Sequence, residues 1–130
     1  MTQRIGAVTL VVDDYDAAIA YYTQVLGFEL LENAARGGRK RWVLVAPRHS
    51  GGTALLLAQA ANAAQRARIG DQTGGRVGFF LQTDDFRRDH AAFSARGVRF
   101  TESPRIEDYG IVAVFEDLYG NRWDLLEPAR

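Results

Sequence analysis

The feature that most constrains this chain is that it repeats itself. The segment VTLVVDDYDAAIAYYTQVLGF, from Val8, can be laid over VGFFLQTDDFRRDHAAFSARGV, from Val77. In both copies an apolar strand ends at an Asp-Asp pair followed by an aromatic residue: Asp13, Asp14 and Tyr15, then Asp84, Asp85 and Phe86. A helix-like segment follows and stops at Gly27 or Gly97, with another apolar strand behind it. An Asp at a helix start accepts hydrogen bonds from the free N–H groups of the first turn and suits the positive end of the helix dipole. A glycine at the far end takes the left-handed conformation that closes the last turn. Ala18, Ile19, Tyr22, Val25 and Leu26 in the first helix, and Phe86, His90 and Phe93 in the second, recur at helical spacing, so each helix should lay one face on a sheet.

Two more strand candidates follow each unit. The first copy has KRWVLVAP, a Ser-Gly-Gly turn and TALLLAQ; the second has YGIVAVFED, LYGN and RWDLLEP. Glycine-containing dipeptides between apolar runs mark tight turns. Each half therefore reads strand, helix, strand, strand, strand. The fold class is α+β, with module one at about 4–59, a linker at about 60–75 that begins as a short Ala-rich helix, and module two at about 76–128, all within a single domain spanning 1–130.

Composition closes several routes. Cysteine is absent, which removes disulfides, thiolate metal sites and thiol nucleophiles. Sixteen basic and sixteen acidic residues cancel, leaving no overall field to hold nucleic acid or an anionic membrane. The cluster RGGRKR, at 36–41, reads as a solvated hairpin turn rather than a phosphate site. The start has no basic segment followed by an apolar run of signal length, and no apolar run approaches the ~20 residues of a membrane span. A cytoplasmic location is expected.

With YYTQVLGFEL after the first helix and DLYGNRWDLLEP at the end, the chain resembles the vicinal oxygen chelate superfamily, which includes glyoxalase I, bleomycin-resistance proteins and extradiol dioxygenases. The resemblance runs through both halves in order. It implies two tandem βαβββ modules forming a cupped, strongly curved mixed sheet around a cavity, and a homodimer. One fold carries many chemistries, so it does not by itself fix the function.

In metal-dependent members of that superfamily each module supplies a His seven residues before the helix-opening Asp or Asn, and a Glu on its last strand. Here those positions correspond to Ala7 and Gly78, and to Leu55 and Asp124. A lone carboxylate cannot supply the three or four donors that hold a divalent ion. No cofactor is therefore expected, with a divalent metal in a non-standard site left as an open alternative. His90 reads as a core-edge residue and His49 as part of a turn.

Side chains alternate along a strand, so these positions fix their neighbours. The expected ligand-binding residues are Thr9, Trp42, Leu55, Leu57, Phe80, Gln82, Tyr109, Arg122 and Asp124, with Ala7 and Gly78 leaving room at the centre. Trp42 and Tyr109 are placed to cover a flat ligand. Asp124 is the candidate catalytic group, a carboxylate that needs a partner such as Arg122 or Gln82 if it is buried. The leading expectation is a metal-independent protein of the bleomycin-resistance type, binding a small amphipathic or aromatic molecule. The alternative is a lyase, isomerase or dioxygenase relative that uses Asp124 as a base or within a non-standard metal site. Whether the protein is an enzyme stays open on the sequence alone.

Overall fold

The computed structural model describes residues 2–130. The chain forms two compact units, the first through Ile69 and the second from Gly70 to Arg130.

In the first unit, β1 (Ala7–Val12) leads into α1 (Tyr15–Ala20), which continues as a π-helical segment over Tyr21–Val25. Asp14 caps α1, its carboxylate accepting from the Ala17 N–H at 2.8 Å, and Gly27 ends the helical stretch at φ +76°. Next come β2 (Glu29–Ala35), β3 (Arg41–Ala46), β4 (Ala54–Gln59) and the short α2 (Ala63–Arg66). The strands form a four-stranded sheet in the order β1-β4-β3-β2, with β1 parallel to β4 and the other pairs antiparallel. Leu10, Val12, Val43, Val45 and Leu57 are fully buried, and with Tyr22 and Ala18 they make the core of this unit. RGGRKR forms the β2–β3 turn, closed by the Arg36 N–H donating to the Lys40 carbonyl at 2.9 Å.

The second unit repeats the scheme. β5 (Phe79–Gln82) precedes α3 (Phe86–Ala95), capped by Asp85 through the Arg88 N–H and ended at Gly97 with φ +88°. The strand expected behind the helix is broken into β6 (Arg99–Phe100) and β7 (Arg105–Glu107), both paired with β8 (Gly110–Glu116). The intervening Pro104 cannot donate to a ladder, which suits a break there. β9 (Arg122–Pro128) lies between β5, to which it is parallel, and β8.

On the helix side of this sheet runs an aromatic ladder. Phe79 stacks on Trp123 at 4.6 Å between centroids, Trp123 on Phe115 at 5.8 Å, and Phe115 meets Phe93 edge-on at 5.6 Å. His90 packs between Phe86 and Phe100, at 5.4 and 4.2 Å. Below the ladder, Asp117 accepts bonds from the Asn121 N–H, the Asn121 amide and the Trp123 indole, which locks the β8–β9 turn.

The expected α+β class and the two βαβββ-like modules are present. The expected strong curvature is not: each module has its own mixed sheet, and neither is strongly curled. The reason lies in the pairing. Each module's first strand pairs with that module's own last strand, so each hydrogen-bond ladder ends inside its module.

Candidate functional site

Register decides which side chains share a face, because residues paired across a ladder point the same way. In the second unit Phe79 pairs with Trp123, and Trp123 with Phe115, all on the helix side. Phe80 pairs with Asp124, and Asp124 with Val114, on the opposite, open face. The next row is Gln82, Leu126, Val112 and Arg105. Glu102 completes the first row, its Oε2 accepting from the Val114 N–H at 2.9 Å.

Asp124 is the unusual member of this face. Its Oδ1 is buried and has no hydrogen-bond partner among the described residues. Burial, the largest influence, pushes its carboxyl above the ordinary aspartate range; the Arg105 guanidinium draws it down and the Glu102 carboxylate pushes it up. Arg105 is itself engaged, through its Nε with Glu102 at 3.0 Å and Nη1 with Glu107 at 2.8 Å. The Tyr109 side chain, first, and then Glu102 hold the Arg105 guanidinium above its ordinary range. Beside Asp124, Phe80 is 62% exposed, an apolar ring presented to solvent next to a desolvated oxygen.

The expected site residues divide accordingly. Phe80, Gln82 and Asp124 share the open face of the second sheet. Tyr109 stands in the β7–β8 turn, half exposed and connected to that face through Arg105. Arg122 is exposed and donates from Nη1 to the Gly75 carbonyl at 3.0 Å, so it is not the partner of Asp124. Gly78 leaves no room: a Cβ there would lie 2.8 Å from the Thr73 methyl, which already occupies the space.

In the first unit, Thr9 and Trp42 lie on the open face, Trp42 through β3 alternation with Leu44. Leu55 and Leu57 do not. Leu55 pairs with Val8 and Leu57 with Leu10, so both point under α1 and are buried, and Leu56, paired with Thr9, takes the open-face position. This corrects the reading of Leu55 as the counterpart of Asp124. Ala54-Leu55-Leu56 is apolar throughout, so nothing in its composition marks which residue faces outward. Equating the Thr9–Leu56 pair with the Phe80–Asp124 pair gives the right register. Arg105 and Glu102 were also missed, because the broken strand that carries them has too few residues to show alternation.

Among the described residues, no group of three or more His, Asp or Glu side chains could hold a metal ion. Glu102 is the acidic group that acts on Asp124, and it is already committed to Arg105 and the Val114 N–H. This donor set does not fit the divalent centre of the superfamily's metal enzymes. Among the described residues, no helix is long and apolar enough to cross a membrane.

Two βαβββ-like modules with a carboxylate on the last strand's open face define a glyoxalase-type protein. Residues 4–125 match the Glyoxalase/Bleomycin resistance protein/Dioxygenase superfamily, and the chain belongs to it. An uncharacterized protein of Shewanella frigidimarina is 51% identical over 128 residues, covering 98% of this chain and 95% of that protein. YurT, an uncharacterized protein of Bacillus subtilis, is 31% identical over 91% of this chain and 94% of its own. Among solved structures, UcmS2 superposes with a TM-score of 0.84 at 28% identity, covering 98% of this chain and 99% of its own. TnmS3, an antibiotic binding protein from Streptomyces sp. CB03234, superposes with 0.79 at 28% identity and 98% of both chains.

Proposed function

We propose that this chain is a metal-independent small-molecule-binding protein that holds an amphipathic or aromatic ligand on the open face of the second sheet. The observation that carries the reading is the unpartnered, buried Oδ1 of Asp124 beside the exposed Phe80 ring. A buried acceptor without a donor costs about 1–3 kcal/mol, and a ligand N–H, O–H or cation would offset that cost. Phe80 and Leu126 would meet the ligand's apolar part, as in small-molecule sites that combine apolar walls with a few polar anchors. The likeness to TnmS3, an antibiotic binding protein, supports a small organic ligand. A homodimer and a cytoplasmic location belong to the same proposal.

The test is a thermal-shift panel of amphipathic aromatic compounds on chelator-treated protein, with Asp124→Ala beside it. Shifts that survive chelation and weaken about ten- to a hundredfold in apparent affinity in Asp124→Ala support the reading. Near-stoichiometric metal in protein purified without chelator or affinity tag, lost in Asp124→Ala, would overturn it.

A second reading has its own support. A carboxyl raised by burial and left with a free oxygen is what a general base requires. Under that reading a ligand found in the panel is turned over by the native protein and only bound by Asp124→Asn.

A further inference from the structure

The first unit carries a separate cavity, of about 620 Å³, that the binding site proposed above does not use. Its origin is a parting of the sheet. β1 and β4 stay paired as far as Val12–Gln59, and β2 and β3 as far as Ala35–Arg41. β3 and β4, in contrast, pair at Leu44–Leu56 and Val45–Leu55 and at no further position among the described residues. Beyond those pairs the strands separate. The Tyr15 hydroxyl holds the freed edge: it accepts from the Arg41 N–H at 3.1 Å and donates to the Arg41 carbonyl at 3.3 Å, taking the place of a strand neighbour.

The walls of this cleft combine two chemistries. Trp42, Leu56 and the alanines following β4 supply apolar surface, and Trp42 is the more exposed of the chain's two tryptophans. Arg39, Lys40 and Arg66 also line it, and none of the three makes an ion pair among the described residues. Arg41 is a different case. Its guanidinium is fully committed to Asn33, to Asp16 at 3.0 Å and to the Tyr15 ring at 5.0 Å, so it builds the floor and leaves the rim charge to the other three. Among the described residues, no acidic side chain lines the cleft.

We infer that this cleft between β3 and β4 binds a flat aromatic acid, its ring laid on Trp42 and its carboxylate met by Arg39, Lys40 and Arg66. Aromatic stacking supplies contact area and the cations supply a preference for anions. A bare inorganic anion would leave the apolar wall unused, and a neutral ring would leave three cations unmatched. The chain's zero net charge makes this preference a property of the cleft and not of the protein's overall field.

The experiment is calorimetric titration with naphthoate, and with uncharged naphthamide as its isostere, against the native chain and variants. Saturable naphthoate binding is expected, with naphthamide weaker. The triple variant Arg39→Ala/Lys40→Ala/Arg66→Ala should bind naphthoate at least about tenfold more weakly and lose the preference over naphthamide. Trp42→Ala should weaken both compounds. All four positions are at least partly exposed, so the variants should fold. Equal affinity for the two compounds, or no saturable heat with naphthoate up to about 10 mM, overturns the inference. Binding lost in Phe80→Ala and retained in the triple variant would place naphthoate on the second sheet and overturn it as well, while leaving the proposal for Asp124 standing.

Discussion

Asp124 and Phe80 are direct neighbours across the parallel β5–β9 ladder, one presenting a buried oxygen with no donor and the other an exposed ring. Such a pair costs the folded chain something in both members, through a desolvated charge and an uncovered apolar surface.

The charge part of that cost depends on pH. The Asp124 carboxyl titrates above its ordinary 3.8 when folded, chiefly through burial, so folding favours its protonated form. The penalty is absent in acid, where the group is protonated in both states, and grows as pH rises from the unfolded value through the raised one. Asp124→Asn should therefore be more stable than the native chain at pH 7. That gain should fade below pH 4 in chemical denaturation series run across pH.

Asp89 behaves with the opposite sign. Burial pushes its carboxyl up, but hydrogen bonds from Arg88 and the Thr83 hydroxyl outweigh that and hold it below the ordinary range. Its contribution is present above the unfolded value and is lost as pH falls through the lowered one. Asp89→Asn should cost about 1 kcal/mol at pH 7 and converge with the native chain in acid, as read by the same denaturation series.

The hairpin β7–β8 closes on a glycine, the first residue of β8. Gly110 has φ +148°, and a Cβ there would lie 2.1 Å from the Glu127 carbonyl oxygen. Gly97, at φ +88°, has open space around the same position. Gly110→Ala should cost about 3 kcal/mol, combining backbone strain with overpacking. Gly97→Ala should cost about 1–2 kcal/mol from the backbone alone. Thermal melts of the two variants give the comparison.

The register of β4 can be checked with one substitution moved by one residue. Leu55→Asp would put a carboxylate beneath α1 with no partner, which costs several kcal/mol and should leave little folded protein. Leu56→Asp lies on the half-buried open face, where water reaches it, and should fold with a loss of about 1–2 kcal/mol. Circular dichroism of the pair distinguishes the two registers.

Much of the scaffold was legible because local chemistry and global fold agree in it. The Asp14 and Asp85 caps, the Gly27 and Gly97 stops and the glycine turns each announce themselves within a few residues. Asp124 was visible as a carboxylate at an otherwise apolar position. What escaped depended on distant partners. The face taken by Leu55 is set by its pairing with Val8, far away in sequence, and an all-apolar strand carries no mark of it. The Asp124 environment needed Arg105, carried on a short strand after a proline break. The space at Gly78 depended on the conformation of Thr73, five residues before it in an irregular segment.

The parallel pairing of first strand with last sets an order in time. Ala7 joins Ala54, and Phe79 joins Trp123, each across more than forty residues. As the chain is synthesised, β1 and β5 must each wait with their apolar side chains uncovered until the end of their own module arrives. The antiparallel hairpins between them can form early, since their loops are short. Each half of the molecule is thus completed by the return of its last strand to its first, and the carboxylate on β9 reaches its place only with that final step.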